Sequence, residues 1–303
     1  MMKLAATTQS TVQHCIDDYL LSRWGKSIAL DIQPLEIEQW LGALALANRT
    51  KDKLRRTMSI IYVQAQKYGL VPRSESSNPV RWVDQSAKSR YKPVVVDPAT
   101  AAKILGAFSG PDHALQLALT ILVAATGIRI SEALGLKWAD IDYQHKQINL
   151  HRVYVNETVV ECLKTDDSEA PVPLTDLLAV CLRAWQAQTI YSQPSDWVFA
   201  SKRNKGRTPR SGSILTADYL RPAAIAAGVK LQAGQRFGFH NLRHGLASWL
   251  VNQGTDVKTV QGLLRHSNVT TTLGLYAHSV DASMMAAQDA TMKALKTGSR
   301  AVN

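Results

Sequence analysis

The chain has 303 residues, enough for two ordinary domains, and 46% of them are hydrophobic, so it encodes a packed core and not a disordered chain. A formal net charge of +11 points to an anionic partner, nucleic acid before membrane. The three scattered cysteines, Cys15, Cys162 and Cys181, lack CxxC spacing and support neither a disulfide framework nor a zinc ribbon.

In chain order, Ser10–Trp24 and Leu35–Ala47 are expected helices, and Thr50 is the expected N-cap of a third over Lys51–Tyr68, where Leu54, Met58, Ile61 and Ala65 recur at helical spacing. Lys51, Arg55 and Arg56 crowd its start, against the helix dipole, and read either as a solvated helix start or as phosphate contacts. A Pro/Ser-rich stretch follows, with Lys88, Arg90 and Lys92 at alternate positions; it is either a soluble linker or an extended segment tracking a phosphate backbone. The expected organisation is a helical core-type DNA-binding domain over 1–72, a basic linker over 73–93 and a second domain over 94–303. Residues 1–92 carry 14 Lys+Arg against 8 Asp+Glu, the higher charge density of the two parts.

In the second domain, Asp97 or Thr100 caps a helix through Phe108, and a buried helix runs to about Thr126 and ends at Gly127. Ser131 is the expected cap of a short helix over Glu132–Leu136. The period then changes: Ile148, Leu150 and Arg152 alternate, Thr158–Leu163 is β-branched, Asp166-Asp167-Ser168 signals a turn and Val172–Leu174 is apolar, which reads as a small antiparallel sheet. From Leu174 the pattern is helical again, broken by the loop Ser201–Pro209 with Lys202 and Arg203, solvated or in contact with DNA. The fold class expected is mainly α with a small antiparallel β-sheet (α+β). The first 25 residues lack a signal-peptide pattern, and the apolar stretch Ala114–Ala125 is too short to span a membrane, so a cytoplasmic, nucleoid-associated protein with no membrane partner is expected.

Several short motifs carry polar residues suited to chemistry. In His240–Leu250, Leu242, Gly245, Leu246, Trp249 and Leu250 fall on one helical face, and His240, Arg243 and His244 on the other. HNLRH lacks the glutamate of an HExxH zinc site, and an arginine between two ligands would repel the cation; an Arg beside a His equally suits a phosphodiester. Arg129 follows the buried helix between apolar neighbours, as an ion-pair partner of Glu132 or as a phosphate clamp oriented by it. His266 stands where a helix over Val257–Leu264 ends, and Tyr276 lies in the next. Taken singly, each fits an ordinary structural role.

Taken in order, ATGIRISEAL (125–134), LKT (163–165), HNLRHGLAS (240–248) and RHSNVTTTLGLYAH (265–278) resemble the tyrosine recombinase (phage integrase) family. The resemblance covers residues 94 to 280 and extends more weakly to the helices before the linker. It implies a site-specific recombinase with catalytic Arg129, Lys164, His240, Arg243, His266 and Tyr276, Glu132 orienting Arg129, and no metal or other cofactor. Its implied partner is double-stranded DNA, gripped by a homo-tetramer through a Holliday junction. Accessory DNA-bending or directionality factors are candidate partners, and a prophage or genomic island is the expected mobile element. Val280, Met284, Met285, Met292 and Leu295 form an apolar stripe that would pack on its own domain or dock in a neighbour. Three positions depart from the family pattern, Arg265 where glycine is usual, Asn241 where aspartate is common and Gly245 where threonine is common, and the hairpin near Lys164 is more acidic than usual, with Asp166, Asp167 and Glu169. A non-catalytic DNA-binding regulator, a type IB topoisomerase and a metal-dependent hydrolase using His240 and His244 are the competing readings.

Overall fold

A computed structural model describes residues 6–84, 94–161, 171–232, 234–266, 268–269, 272–273 and 288. The chain divides into two compact units, 1–92 and 93–303.

The first unit is helical. Helix α1 (Ala6–Cys15) continues through a π-helical turn (Ile16–Leu20) into α2 (Leu21–Trp24), followed by α3 (Pro34–Ala43) and α4 (Asn48–Lys67). Proline at its first position starts α3, because a missing N–H costs nothing there. Thr50 is not the cap of α4: Ala47 holds that place and Thr50 lies within the first turn. The buried stripe of α4 runs Leu54, Met58, Tyr62, whereas Ile61 is exposed. Steps of four keep Tyr62 on the core face, and its hydroxyl donates to the Ala29 carbonyl at 2.7 Å. Burial pushes the Tyr62 phenol up to about 12.

The stretch expected to open the linker packs here instead. Two 3₁₀ turns (Glu75–Ser77 and Pro79–Trp82) place Val80 and Val83 in this unit's core. Asn78 caps the second turn by accepting from the Val80 N–H. Residues 85–93, with Lys88, Arg90 and Lys92, lie outside the described residues.

The second unit mixes helices with short strands. Asp97 caps α5 (Pro98–Gly106), accepting from the Thr100 N–H at 2.7 Å. Helix α6 (Ala114–Thr126) is the centre of the core, with Leu119, Leu122 and Val123 at 0% exposure. After α7 (Ile130–Leu134) come β1 (Ile141–Asp142), β2 (Gln147–Ile148), β3 (Val153–Val155), β4 (Thr158–Val160) and β5 (Val172–Pro173). They form two small antiparallel sheets, β1-β2-β5 and β3-β4. Register aligns Ile141, Ile148 and Val172 across the first sheet, and all three are buried. In the β3-β4 hairpin, Asn156 and Glu157 both take positive φ, 49° and 59°, the two-residue turn that matches strand twist. Sequence periodicity ran a strand through Leu150 and Arg152 and did not find this turn; the turn expected at Asp166–Ser168 lies outside the described residues.

The remaining helices are α8 (Asp176–Gln188), α9 (Gly212–Ile214) continuing through a π-helical turn (Leu215–Leu220) into α10 (Arg221–Ala226), α11 (Phe239–Asn252) and α12 (Val257–Leu264). Helix α11 packs against α5, α6 and α12. At Gly245, an added Cβ would lie 2.2 Å from the Val96 carbonyl oxygen, so only glycine lets that segment come so close. Asn241 serves the same contact, donating through Nδ2 to the Val94 carbonyl at 2.9 Å and accepting the Gly238 N–H at 2.9 Å. Two of the three sequence departures therefore tie α11 to the segment ahead of α5. Among the described residues, no helix is long and apolar enough to cross a membrane.

Candidate active site

The site begins where α6 ends. Gly127 takes φ 66°, and an added Cβ there would stand 2.7 Å from Leu264 Cδ2. Glycine is therefore required both by the backbone and by the approach of α12. Arg129 follows as the N-cap residue of α7, the place expected for Ser131, which instead lies inside the helix. One turn on, Glu132 folds back: Oε2 accepts the Arg129 N–H and Oε1 accepts Arg129 Nη1, both at 2.8 Å. The Glu132 side chain is 3% exposed and that of Arg129 40%, so a buried carboxylate aims a guanidinium that still reaches solvent.

A second guanidinium shares this carboxylate. Arg265 Nη2 lies 2.6 Å from Glu132 Oε2, and both side chains are 3% exposed. Sequence reasoning registered Arg265 only as a departure; a long cation in the helix-ending position that suits glycine was the available signal.

Arg243 lies inside, at 2% exposure, with its two Nη groups donating to the carbonyls of Gly127 and Leu264. That corrects the expected division of α11 into an apolar and a polar face. The helix is covered on more than one side, so Arg243 is buried while Trp249, assigned to the apolar face, is 41% exposed. Arg243 joins the turn before Arg129 to the end of α12.

His240 and His244 stand on the first turns of α11 with their rings edge to face, centroids 4.4 Å apart. Among the described residues, no group of three His, Cys, Asp or Glu is arranged to hold a metal ion. His266 follows α12; its Nδ1 lies 2.9 Å from Thr272 Oγ1, and its carbonyl accepts Gln261 Nε2 at 2.9 Å.

The electrostatics are those of a cation-rich cluster. Burial alone would raise Glu132, but Arg265 and the N–H and guanidinium of Arg129 outweigh it and hold the carboxyl below its ordinary value. Burial, together with Arg129, pushes Arg243 down to about 9, which still leaves it protonated at neutral pH. Loss of water around its ring, then His244, Arg243 and Arg129, bring His240 to about 4. Burial and the arginines Arg243 and Arg129 do the same to His266, also about 4. Burial and Arg243 lower His244 as well. Three arginines against the one carboxylate of Glu132 thus sit beside imidazoles that are neutral at pH 7.

Of the remaining candidates, Lys164 and Tyr276 lie outside the described residues, as does the apolar stripe from Val280 to Leu295. In the first unit, Arg55 and Arg56 pair with Asp52 at 3.1 and 2.8 Å, and Lys51 Nζ donates to the Gly42 carbonyl. Asp52 offsets the clash of these cations with the helix dipole, so that clash needs no ligand to explain it. Lys202 and Arg203 are exposed, and Arg203 lines a surface cavity of about 470 Å³ with Asn204, Arg210 and Ser211.

Comparison with known proteins yields concordant matches. Residues 95–283 match the model of the phage integrase family. The chain is 28% identical over 290 residues to tyrosine recombinase XerD of Rhizobium meliloti, covering 91% of this chain and 86% of that one. It is 29% identical over 199 residues to a tyrosine recombinase XerC-like protein of Caldanaerobacter subterraneus, covering 59% of this chain and about half, 48%, of that relative. Among solved structures, the Tn1549 transposon integrase in complex with a circular intermediate DNA superposes with a TM-score of 0.76 at 18% identity, over 94% of each chain. A lambda integrase tetramer bound to a Holliday junction gives 0.66 at 20% identity, over 90% of this chain and 72% of that one. At these identities the structural matches establish the fold.

Proposed function

The chain belongs to the phage integrase family, whose members are site-specific DNA recombinases, and we propose that it cuts and rejoins DNA strands through a 3′-phosphotyrosine formed on Tyr276. The observation that carries this reading is the cluster around Glu132. One buried carboxylate and two backbone carbonyls hold Arg129, Arg243 and Arg265 beside neutral imidazoles, an arrangement complementary to a phosphodiester.

A phosphodiester repels nucleophiles by its charge and expels a poor alkoxide. Arg129 and Arg243 offset the charge that builds on the non-bridging oxygens. Arg243 commits one N–H to each of two carbonyls, which leaves three donors and its full charge for the phosphate. His266 adds a hydrogen bond there. Tyr276 attacks phosphorus, and because a free tyrosine has a pKa near about 10, its proton needs an acceptor. His240 is neutral and can take it; the bound phosphate raises this imidazole toward working pH. Lys164 protonates the departing 5′ oxygen. The phosphotyrosine conserves the broken bond, so the 5′-hydroxyl of another strand reverses the step without ATP, and arginines carry the charge a metal would otherwise carry.

The DNA substrate proposed is the ends of a mobile element, a prophage or genomic island, bound by a homo-tetramer on two duplexes. The fold shared with a lambda integrase solved as a tetramer on a Holliday junction supports that assembly. The test is a nicked suicide duplex incubated with the protein in EDTA and run on a denaturing gel, with Tyr276→Phe as control. A covalent adduct that forms with wild type and vanishes in the variant is expected. Tight binding with no adduct would sink the catalytic reading and leave a DNA-binding regulator.

A further inference from the structure

We infer that Arg265 is a positioning residue that fastens the segment bearing His266 to the Glu132–Arg129 pair, setting both groups at a fixed spacing around the scissile phosphate. This rests on the reading of the site as a phosphodiester site.

Arg265 takes φ 50° and ψ 53° at the end of α12, a left-handed conformation that glycine adopts without cost and a long side chain does not. The buried contact of its guanidinium offsets that backbone cost. That side chain ends on Glu132, so its effect runs through the groups it holds. Three consecutive residues are pinned in this segment. The Leu264 carbonyl is held by Arg243, the Arg265 guanidinium by Glu132, and the His266 carbonyl by Gln261, with the imidazole on Thr272. Of these contacts, the one from Arg265 reaches directly to the carboxylate that aims Arg129.

The charge balance points the same way. Arg129, Arg243 and Arg265 against Glu132 leave two positive charges. A phosphodiester brings one negative charge, and its five-coordinate transition state carries two. With Arg265 absent, Glu132 would hold Arg129 alone, and the surplus available to the transition state would halve.

The experiment compares wild type, Arg265→Gly and Arg265→Lys. The probe is a nicked suicide duplex built on the DNA sequence that wild type selects from a random library. Glycine favours the left-handed backbone, which offsets part of the cost of leaving Glu132 to Arg129 alone, and the variant's thermal midpoint is recorded alongside. Single-turnover cleavage by Arg265→Gly should fall about ten- to a hundredfold, with DNA affinity within about threefold of wild type. Arg265→Lys should recover part of the rate. In parallel, without DNA, the His266 imidazole followed by NMR should titrate higher in Arg265→Gly than in wild type, because a released segment returns water to the ring. Wild-type cleavage rate with an unmoved His266 titration in Arg265→Gly overturns the inference, as does a rate loss no larger than the fraction unfolded. If wild type itself forms no adduct, the proposed function fails, and the His266 titration alone decides the inference.

Discussion

Glu132 holds two guanidiniums and a backbone N–H with one carboxylate, and at 3% exposure it has little water to fall back on. Removing one partner of a buried pair leaves the other charge stranded, at a cost of about 3–5 kcal/mol. Glu132→Gln should therefore lower unfolding free energy in urea by roughly that amount, while Arg56→Gln, which breaks the exposed end of the Asp52 pairing, should change it by under about 1 kcal/mol. The histidines add a pH dependence of definite sign. His240 and His266 bind protons near about 4 in the folded chain and near about 6.5 when unfolded. Between those values the unfolded chain takes up more protons, so stability is full above about pH 6.5 and declines as pH falls toward 4. The depressed Glu132 adds a further loss, in the same direction, below about pH 4.3. The thermal midpoint should drop from pH 7 to pH 4.5, and inorganic phosphate should restore part of it. A flat profile would contradict the assignment of these imidazoles to a buried, cation-rich cluster.

Among the elements, α11 is the one whose environment decides most. Its glycine at 245 receives the Val96 carbonyl, so Gly245→Thr, although it matches the residue common in the family, should destabilise the second unit by more than about 2 kcal/mol through overpacking. Gly262 in α12 offers the opposite case. A Cβ there meets nothing within 4 Å, so Gly262→Ala should raise stability by about 0.5–1 kcal/mol. Thermal melts of the two variants side by side test both. The elements also show how far local signals reach. Asp97 before Pro98, Gly127 after α6 and the apolar run of α6 itself were legible because caps and periodicity act within one or two turns. Thr50 and Ser131 misled because neither helix has a Ser, Thr, Asp or Asn at its N-cap: α4 starts after Ala47 and α7 after Arg129, three and two residues earlier than the polar candidates. Trp249 and Arg243 exchanged expected environments because periodicity assumes a single covered face, and α11 packs against α5, α6 and α12.

At the scale of the molecule, a net charge of +11 predicts that the proposed binding to DNA depends strongly on salt. Binding to an arbitrary duplex should weaken linearly in log–log form as salt rises. Substituting Arg203, which lines a surface cavity, should lower the slope by about 1, whereas Arg55, half-buried against Asp52, should leave it nearly unchanged. Equal slope changes for the two would remove the distinction drawn here between a surface contact and an internal ion pair.

By itself the sequence determined the helical character of both units, the existence of a small antiparallel sheet where the structure has two, and the order along the chain of Arg129, Glu132, His240, Arg243 and His266. All of these are written in composition, local spacing and order along the chain. Only the tertiary structure decided that Val80 and Val83 belong to the first core, that Arg243 bonds the carbonyls of Gly127 and Leu264, and that Arg265 shares Glu132 across 133 positions. Those facts depend on which distant backbone and which buried charge come to lie beside a residue. A buried polar group must find a partner wherever the fold brings one, and no local pattern encodes that partner's position.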